Sequence, residues 1–196
     1  MHPKYDIALL PEESIASRAI EYSEHLKSLG TEFVLGRKTN LPHLSMYMFR
    51  LKDEDMPKVV DIVEATAHKA IHLKAVNYGF NWQYFDVEYA RTKELEELQA
   101  KILDITKYRQ ELDEGDRKLM EEAAGEAKRN WKDYGFKQVG ELYRPHLTFT
   151  RFKTLEEAPS DPPNLEVFSG KYIRLGIYQL GPHGTCLSEV AGFDLS

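Results

Sequence analysis

The sequence predicts an α+β protein, a mostly antiparallel sheet with helices on its outside. Three observations lead there. Segments of helical period and short apolar runs alternate along the 196 residues in the order β, α, β, α, β, β, α, α, β, loop, β, β. Two pairs of neighbouring runs are joined by short turns rich in Gly and Asn, as antiparallel strands are. One tetrad also occurs twice, as Pro42-His43-Leu44-Ser45 and Pro145-His146-Leu147-Thr148, each copy opening a run that reads as a strand.

Taken in order, Tyr5 to Leu10 is an apolar run ended by Pro11, the first strand. From Glu12 to Leu29, Ile15, Ala19, Tyr22, Leu26 and Leu29 recur at helical spacing, and Gly30 closes the helix. Thr31 to Asn40 is a connection with a brief strand expected at Phe33-Val34-Leu35. The first tetrad strand runs to about Leu51. Asp55 is expected to cap a second helix, with Pro57 in its first turn and Val59, Val60, Val63 and Ala67 on its buried face. Ile71 to Tyr78 and Phe80 to Tyr89 read as strands turning near Gly79 and Asn81. Thr92 caps a third helix striped by Leu95, Leu98, Ile102 and Ile105, and a fourth, highly charged helix is expected from Asp116 to Tyr134. The second tetrad strand spans Leu142 to Phe152. Pro159, Pro162 and Pro163 then make a loop, and Lys171 to Leu180 and Thr185 to Leu195 are the last strands, joined at Gly181-Pro182-His183-Gly184.

Residues 1–196 read as one unit without a linker, the charged segment at about 113–135 standing out as a candidate insertion. No apolar run reaches membrane-spanning length and the N-terminal stretch has no signal-peptide plan, so no membrane contact and a cytoplasmic location are expected. The single cysteine, Cys186, excludes an internal disulfide and a multi-cysteine zinc site. A net charge of −6 argues against long duplex nucleic acid as a partner. Arg37, Lys38, Arg50 and Lys52 nonetheless flank the first tetrad, and Arg144, Arg151 and Lys153 the second, which points to a small anion.

Side chains alternate across a strand, so His43 and Ser45 share one face, as do His146 and Thr148. Leu44 and Leu147 point the other way, into a core. Two such strands side by side would surround one anion with two imidazoles and two hydroxyls. Imidazole gives and takes protons near neutrality, and hydroxyls can donate to the non-bridging oxygens of a phosphate. No carboxylate cluster of metal-ligand spacing accompanies them, so the chemistry expected is metal-free, with no cofactor.

On these two His-x-Ser/Thr motifs the chain resembles the 2H phosphoesterase superfamily, which includes bacterial 2′-5′ RNA ligase-like proteins and cyclic nucleotide phosphodiesterases. The resemblance implies two lobes related by a pseudo-twofold axis, with the motifs facing each other across a central groove. It implies His43 and His146 as the acid–base pair and Ser45 and Thr148 as phosphate binders. It also implies a cyclic phosphate or 2′-5′ phosphodiester on a nucleotide or RNA end as substrate, cleaved or reversibly formed; separately, a monomer is expected, though the sequence leaves oligomeric state open. The chain departs from the family pattern in Ser45, where threonine is commoner, in the proline-rich stretch that leaves little room for a mirrored helix, and in the extra charged helix. The rival reading is a module that binds a nucleotide or RNA end without turning it over.

Beyond the tetrads, alternation places Tyr47 and Thr150 on the groove face and aims Arg151 away from it. Trp82, Tyr84 and Tyr89 lie where an aromatic ring could stack a base, with packing as their plainer role. His68 and His72 have an i, i+4 spacing that can bind metal, but they straddle a helix end and read as surface residues, as do His25 and His183. Cys186 reads as a small packed side chain.

Overall fold

The computed structural model describes residues 2–196; Met1, the start of the N-terminal stretch read above, lies outside them. Among the described residues the first half of the chain forms β1 (Lys4–Pro11), α1 (Glu13–Leu26), β2 (Leu44–Arg50), α2 (Met56–Thr66), β3 (Ile71–Leu73), β4 (Ala75–Asn81) and β5 (Tyr84–Tyr89). The second half forms α3 (Lys93–Ile102), α4 (Glu114–Glu122), α5 (Gly125–Tyr134), β6 (His146–Arg151), β7 (Gly170–Leu180) and β8 (Cys186–Asp194). The strands join in one sheet, ordered β3-β7-β1-β2-β6-β5-β4, with β8 also on β7. Every strand pairing among these residues is antiparallel, so the α+β expectation holds. No helix among them is long and apolar enough to cross a membrane.

The sheet has two halves, β7-β1-β2 and β4-β5-β6, that mirror each other about the β2–β6 seam. Because β2 and β6 are antiparallel neighbours, a twofold axis normal to the sheet relates them. The seam is a single Cα pair, Leu44 opposite Leu147. The helices before the motif strands pack across it, α1 against β6 and α3 against β2. Tyr22 of α1 meets Phe149 edge-on at 5.1 Å, while Leu95, Leu98 and Ile102 of α3 are buried in the same core.

Both motif strands carry a β-bulge at the same place. Ala8 opposes Ser45 and Ile7 opposes Tyr47, which leaves Met46 as an extra residue. Likewise Asp86 opposes Thr148 and Phe85 opposes Thr150, which leaves Phe149. One extra residue advances the alternation by one and exchanges the faces beyond it. It also takes a carbonyl out of the ladder. Gln99 Nε2 of α3 donates to the Met46 carbonyl at 3.0 Å, and Ser23 Oγ of α1 donates to the Phe149 carbonyl at 2.7 Å. The same two side chains accept from Gly140 N and Leu35 N, in the segments leading to each motif. Two buried polar residues are thereby explained by two buried backbone acceptors.

Several local expectations differ from the fold. Phe33-Val34-Leu35 forms no strand; only Thr31 bridges, to Phe152. The run from Ile71 to Tyr78 splits at Lys74, because β3 pairs with β7 in one half and β4 with β5 in the other. The hairpin turns at Trp82-Gln83, both at positive φ, rather than at Gly79 and Asn81. Asp55 is helical and pairs with Lys58 instead of capping α2. Thr92 does cap α3, accepting from Leu95 N. The single charged helix is two, parted at Ala123-Ala124 before Gly125 at φ 55°.

Removing a buried partner leaves the bulge carbonyl unsatisfied, at a cost of about 1–3 kcal/mol. Ser23→Ala and Gln99→Ala should each lower the urea-unfolding free energy by about that amount, with near-additive losses because their sites lie in opposite halves. A loss within the error of extrapolation for either variant would mean that the carbonyls are hydrated instead.

Candidate active site between the two motif strands

The face opposite α1 and α3 holds a cavity of about 680 Å³, and His43, Ser45, His146 and Thr148 all line it. About the Leu44–Leu147 pair, antiparallel register sets His43 across from Thr148 and Ser45 across from His146. Each imidazole therefore faces the other motif's hydroxyl. Each ring is anchored in the same way. His43 Nδ1 donates to the Leu41 carbonyl and His146 Nδ1 to the Arg144 carbonyl, both at 2.7 Å. That fixes the tautomer and leaves both Nε2 atoms for proton transfer.

Burial sets the proton state of both rings. It pushes the His43 pKa down from 6.5 to about 4, against the Leu41 carbonyl, with nearby His146 adding to the depression. The His146 pKa is lowered too, chiefly by burial, while the Asp86 carboxylate opposes the shift. Both imidazoles are accordingly neutral at pH 7 in the ligand-free protein.

Each motif is backed by a buried aspartate that sequence reasoning did not single out. Asp6 of β1 accepts from Ser45 Oγ at 2.5 Å and lies 3.8 Å from His43 Nε2. Its burial raises the carboxyl pKa well above the ordinary range, and its Oδ1 has no hydrogen-bond partner. Asp86 of β5 is held differently, by Arg144 Nη2 at 2.8 Å and Nη1 at 3.0 Å. A Cβ at Gly79 would sit 2.8 Å from Arg144 Nη1, so glycine on β4 leaves the room this fork needs. Burial is again the largest influence on the Asp86 carboxyl and raises its pKa, with Arg144 opposing. An aspartate in the middle of an apolar strand, as in Tyr5-Asp6-Ile7 and Phe85-Asp86-Val87, was the available signal.

The bulges correct three expectations. Tyr47 and Thr150 are fully buried on the core side, where Tyr47 Oη donates to the Tyr134 carbonyl and Thr150 Oγ1 to that of Phe33. Neither lies on the groove face. Met48 and Arg50 line the cavity instead. Arg151 is turned onto the groove side, 5.5 Å above the Tyr84 ring, bonding Gln83 Oε1 and lying 3.5 Å from His183 Nδ1. Trp82 stands 83% exposed at the tip of the β4–β5 turn and lines the cavity together with Tyr84, whereas Tyr89 is in the core. The flanking cations divide. Arg37 goes to Glu13 on the surface, while Arg50 and Arg144 line the groove, both already paired with carboxylates. Leu119, Trp131 and Phe136, in and after α4 and α5, form an apolar wall, and Lys4 and Arg50 tie that segment down through Asp113 and Asp116.

No protein-family model matches the chain, and no curated protein matches it in sequence. Solved structures do match in fold. The apo form of E. coli LigT superposes with a TM-score of 0.63 at 13% identity, covering 100% of this chain and 99% of that one. A structure described as a phosphoesterase superposes at 0.62, also at 13% identity with the same coverage. E. coli LigT complexed with 3′-AMP gives 0.63, 13% and again the same coverage. The chain thus has the LigT fold from end to end.

Because the folded His43 pKa lies below its unfolded value, the unfolded chain binds more protons between about pH 6.5 and 4, and stability is lost as pH falls through that window. The raised Asp6 carboxyl pKa acts in the opposite sense, its contribution being lost as pH rises. A His43→Gln variant lacks only the first of these effects. The advantage of wild type over it in urea unfolding should shrink by about 3 kcal/mol from pH 7 to pH 4. A pH-independent difference would mean that the ring titrates normally in the fold.

Proposed function

We propose that the chain is a 2H-type phosphoesterase that hydrolyses, or reversibly forms, a cyclic phosphate or 2′-5′ phosphodiester on a nucleotide or RNA end. The observation that carries this reading is the pair of Nδ1-anchored imidazoles on adjacent strands, each facing the other motif's hydroxyl on the cavity floor. The LigT fold and the 3′-AMP complex of LigT support it.

For a 2′,3′-cyclic phosphate the proton inventory closes without a metal. One Nε2 takes a proton from water as its oxygen bonds to phosphorus. The other imidazole, protonated at Nε2, gives its proton to the ribose oxygen as the bond from that oxygen to phosphorus breaks. Thr148 donates to a non-bridging oxygen, where charge accumulates, and Ser45 does the same by turning its proton from Asp6 Oδ2 to the phosphate. The acid imidazole must be charged, and burial disfavours that in the free protein. A phosphate anion between the rings stabilises the charged form, so substrate itself arms the acid. Trp82 offers its ring face to a base at the groove rim, where stacking is worth about 1–3 kcal/mol.

The test is turnover of 2′,3′-cyclic nucleotides, ADP-ribose 1″,2″-cyclic phosphate and 2′-5′-linked oligoadenylate, with EDTA present. His43→Ala and His146→Ala should each lose about 10²–10⁴-fold in kcat while keeping affinity for 3′-AMP. The kcat/KM profile, which reports the free enzyme, should be a bell with its maximum below pH 6.5, and the kcat profile should lie at higher pH. Binding of 3′-AMP with no turnover on the panel would point instead to the nucleotide-binding module. Trp82→Ala should raise KM about 5- to 100-fold, more than it lowers kcat; an unchanged KM would remove the base from the turn.

A further inference from the structure

The two halves of the site differ in how their buried aspartates are compensated. Asp86 has a cation of its own, because Arg144 forks onto both of its oxygens. Among the described residues Asp6 pairs only with His43, and its Oδ1 is a fully buried oxygen without a partner. A third group closes on this pair. Cys186 opens β8, is fully buried, and has no counterpart beside Asp86. One ligand atom from each of Asp6, His43 and Cys186 lies within 4.8 Å of the other two.

We propose that Asp6, His43 and Cys186 form a binding site for a zinc-type divalent cation, whose occupation withdraws His43 from proton transfer. The donor set is one carboxylate oxygen, one imidazole nitrogen and one thiol sulfur, a mixture suited to a borderline-soft tetrahedral ion and poorly suited to magnesium or calcium. The surrounding contacts are those that orient metal ligands. The Leu41 carbonyl holds His43 Nδ1, which leaves Nε2 as the donor atom, and Ser45 engages Asp6 Oδ2, the oxygen that lies 3.8 Å from His43 Nε2. Tetrahedral bonds of about 2.0–2.3 Å put ligand atoms roughly 3.3–3.8 Å apart, so groups already within 4.8 Å of one another close by at most about 1.5 Å. His43, Gly184 and Thr185 line the cavity, so entry is from the groove. Binding replaces the Cys186 thiol proton, together with any proton that burial holds on the Asp6 carboxyl, by metal–ligand bonds and releases it to solvent.

Only the inhibitory consequence rests on the phosphoesterase reading; the metal site itself is tested without turnover. The probe is Co²⁺ added to chelator-treated, reduced protein. Wild type should develop a thiolate-to-cobalt charge-transfer band that Zn²⁺ bleaches, with one proton released per ion from Cys186 and a second where Asp6 is protonated. Cys186→Ala and Cys186→Ser should lack the band, and Asp6→Asn should weaken cobalt binding about ten-fold or more. Each variant's fold is checked by circular dichroism. Zn²⁺ should suppress wild-type turnover reversibly with EDTA, while the turnover of Cys186→Ala is insensitive to it. No charge-transfer band in wild type at saturating Co²⁺, or equal zinc inhibition of wild type and Cys186→Ala, would overturn the proposal. Loss of turnover on every substrate with the band intact would count against the phosphoesterase reading alone.

Discussion

The geometry of the site depends on one repeated constraint, a β-bulge immediately after each His-x-Ser/Thr motif. A bulge in a central strand leaves a carbonyl out of the ladder, deep in an apolar layer, where an unsatisfied acceptor is costly. Ser23 and Gln99 meet that need from helices that cross the seam to the opposite half. Each also holds the backbone of the segment that leads into a motif. The bulge, the helix and the approach to the histidine therefore form one unit, and the chain builds it twice. The seam itself is held by a single strand pair, Leu44 with Leu147. These crossed helices supply the further cohesion that the two halves need.

Within that frame the electrostatics are set by burial more than by charge pairing. Two imidazoles tied to their own chain by Nδ1 are kept neutral, and two aspartates behind them sit where burial raises the carboxyl pKa. Arg50 and Arg144 are already matched with carboxylates, while Arg151 bonds Gln83. The twofold likeness is imperfect in an informative way. One half compensates its aspartate with Arg144, while the other brings up Cys186 on a strand with no counterpart.

The sequence carried the fold class and the four central groups for simple physical reasons. A period-2 run opened by Pro-His puts the histidine and the next hydroxyl on one face, and that face survives because the bulge comes only after the hydroxyl. Tyr47 and Thr150 failed for the same reason. They lie one residue past the bulge, where strict alternation no longer applies, and Arg151 came onto the groove side by the same shift. The hairpin at Trp82-Gln83 was hidden because its positive-φ positions carry neither glycine nor asparagine. The α4–α5 break at Ala123-Ala124 was hidden because alanine favours helix.

By itself, then, the sequence determined the strand and helix segments apart from the β3–β4 and α4–α5 breaks, the apolar faces up to each bulge, and the two motif strands with His43, Ser45, His146 and Thr148, since these follow from local periodicity. Tertiary structure alone decided that β2 and β6 are neighbours, that Asp6, Asp86 and Arg144 stand behind the motifs, and that Cys186 meets His43 across 143 positions of chain. Those are long-range pairings, set by strand register and by the satisfaction of buried polar groups. No local window of sequence contains both partners.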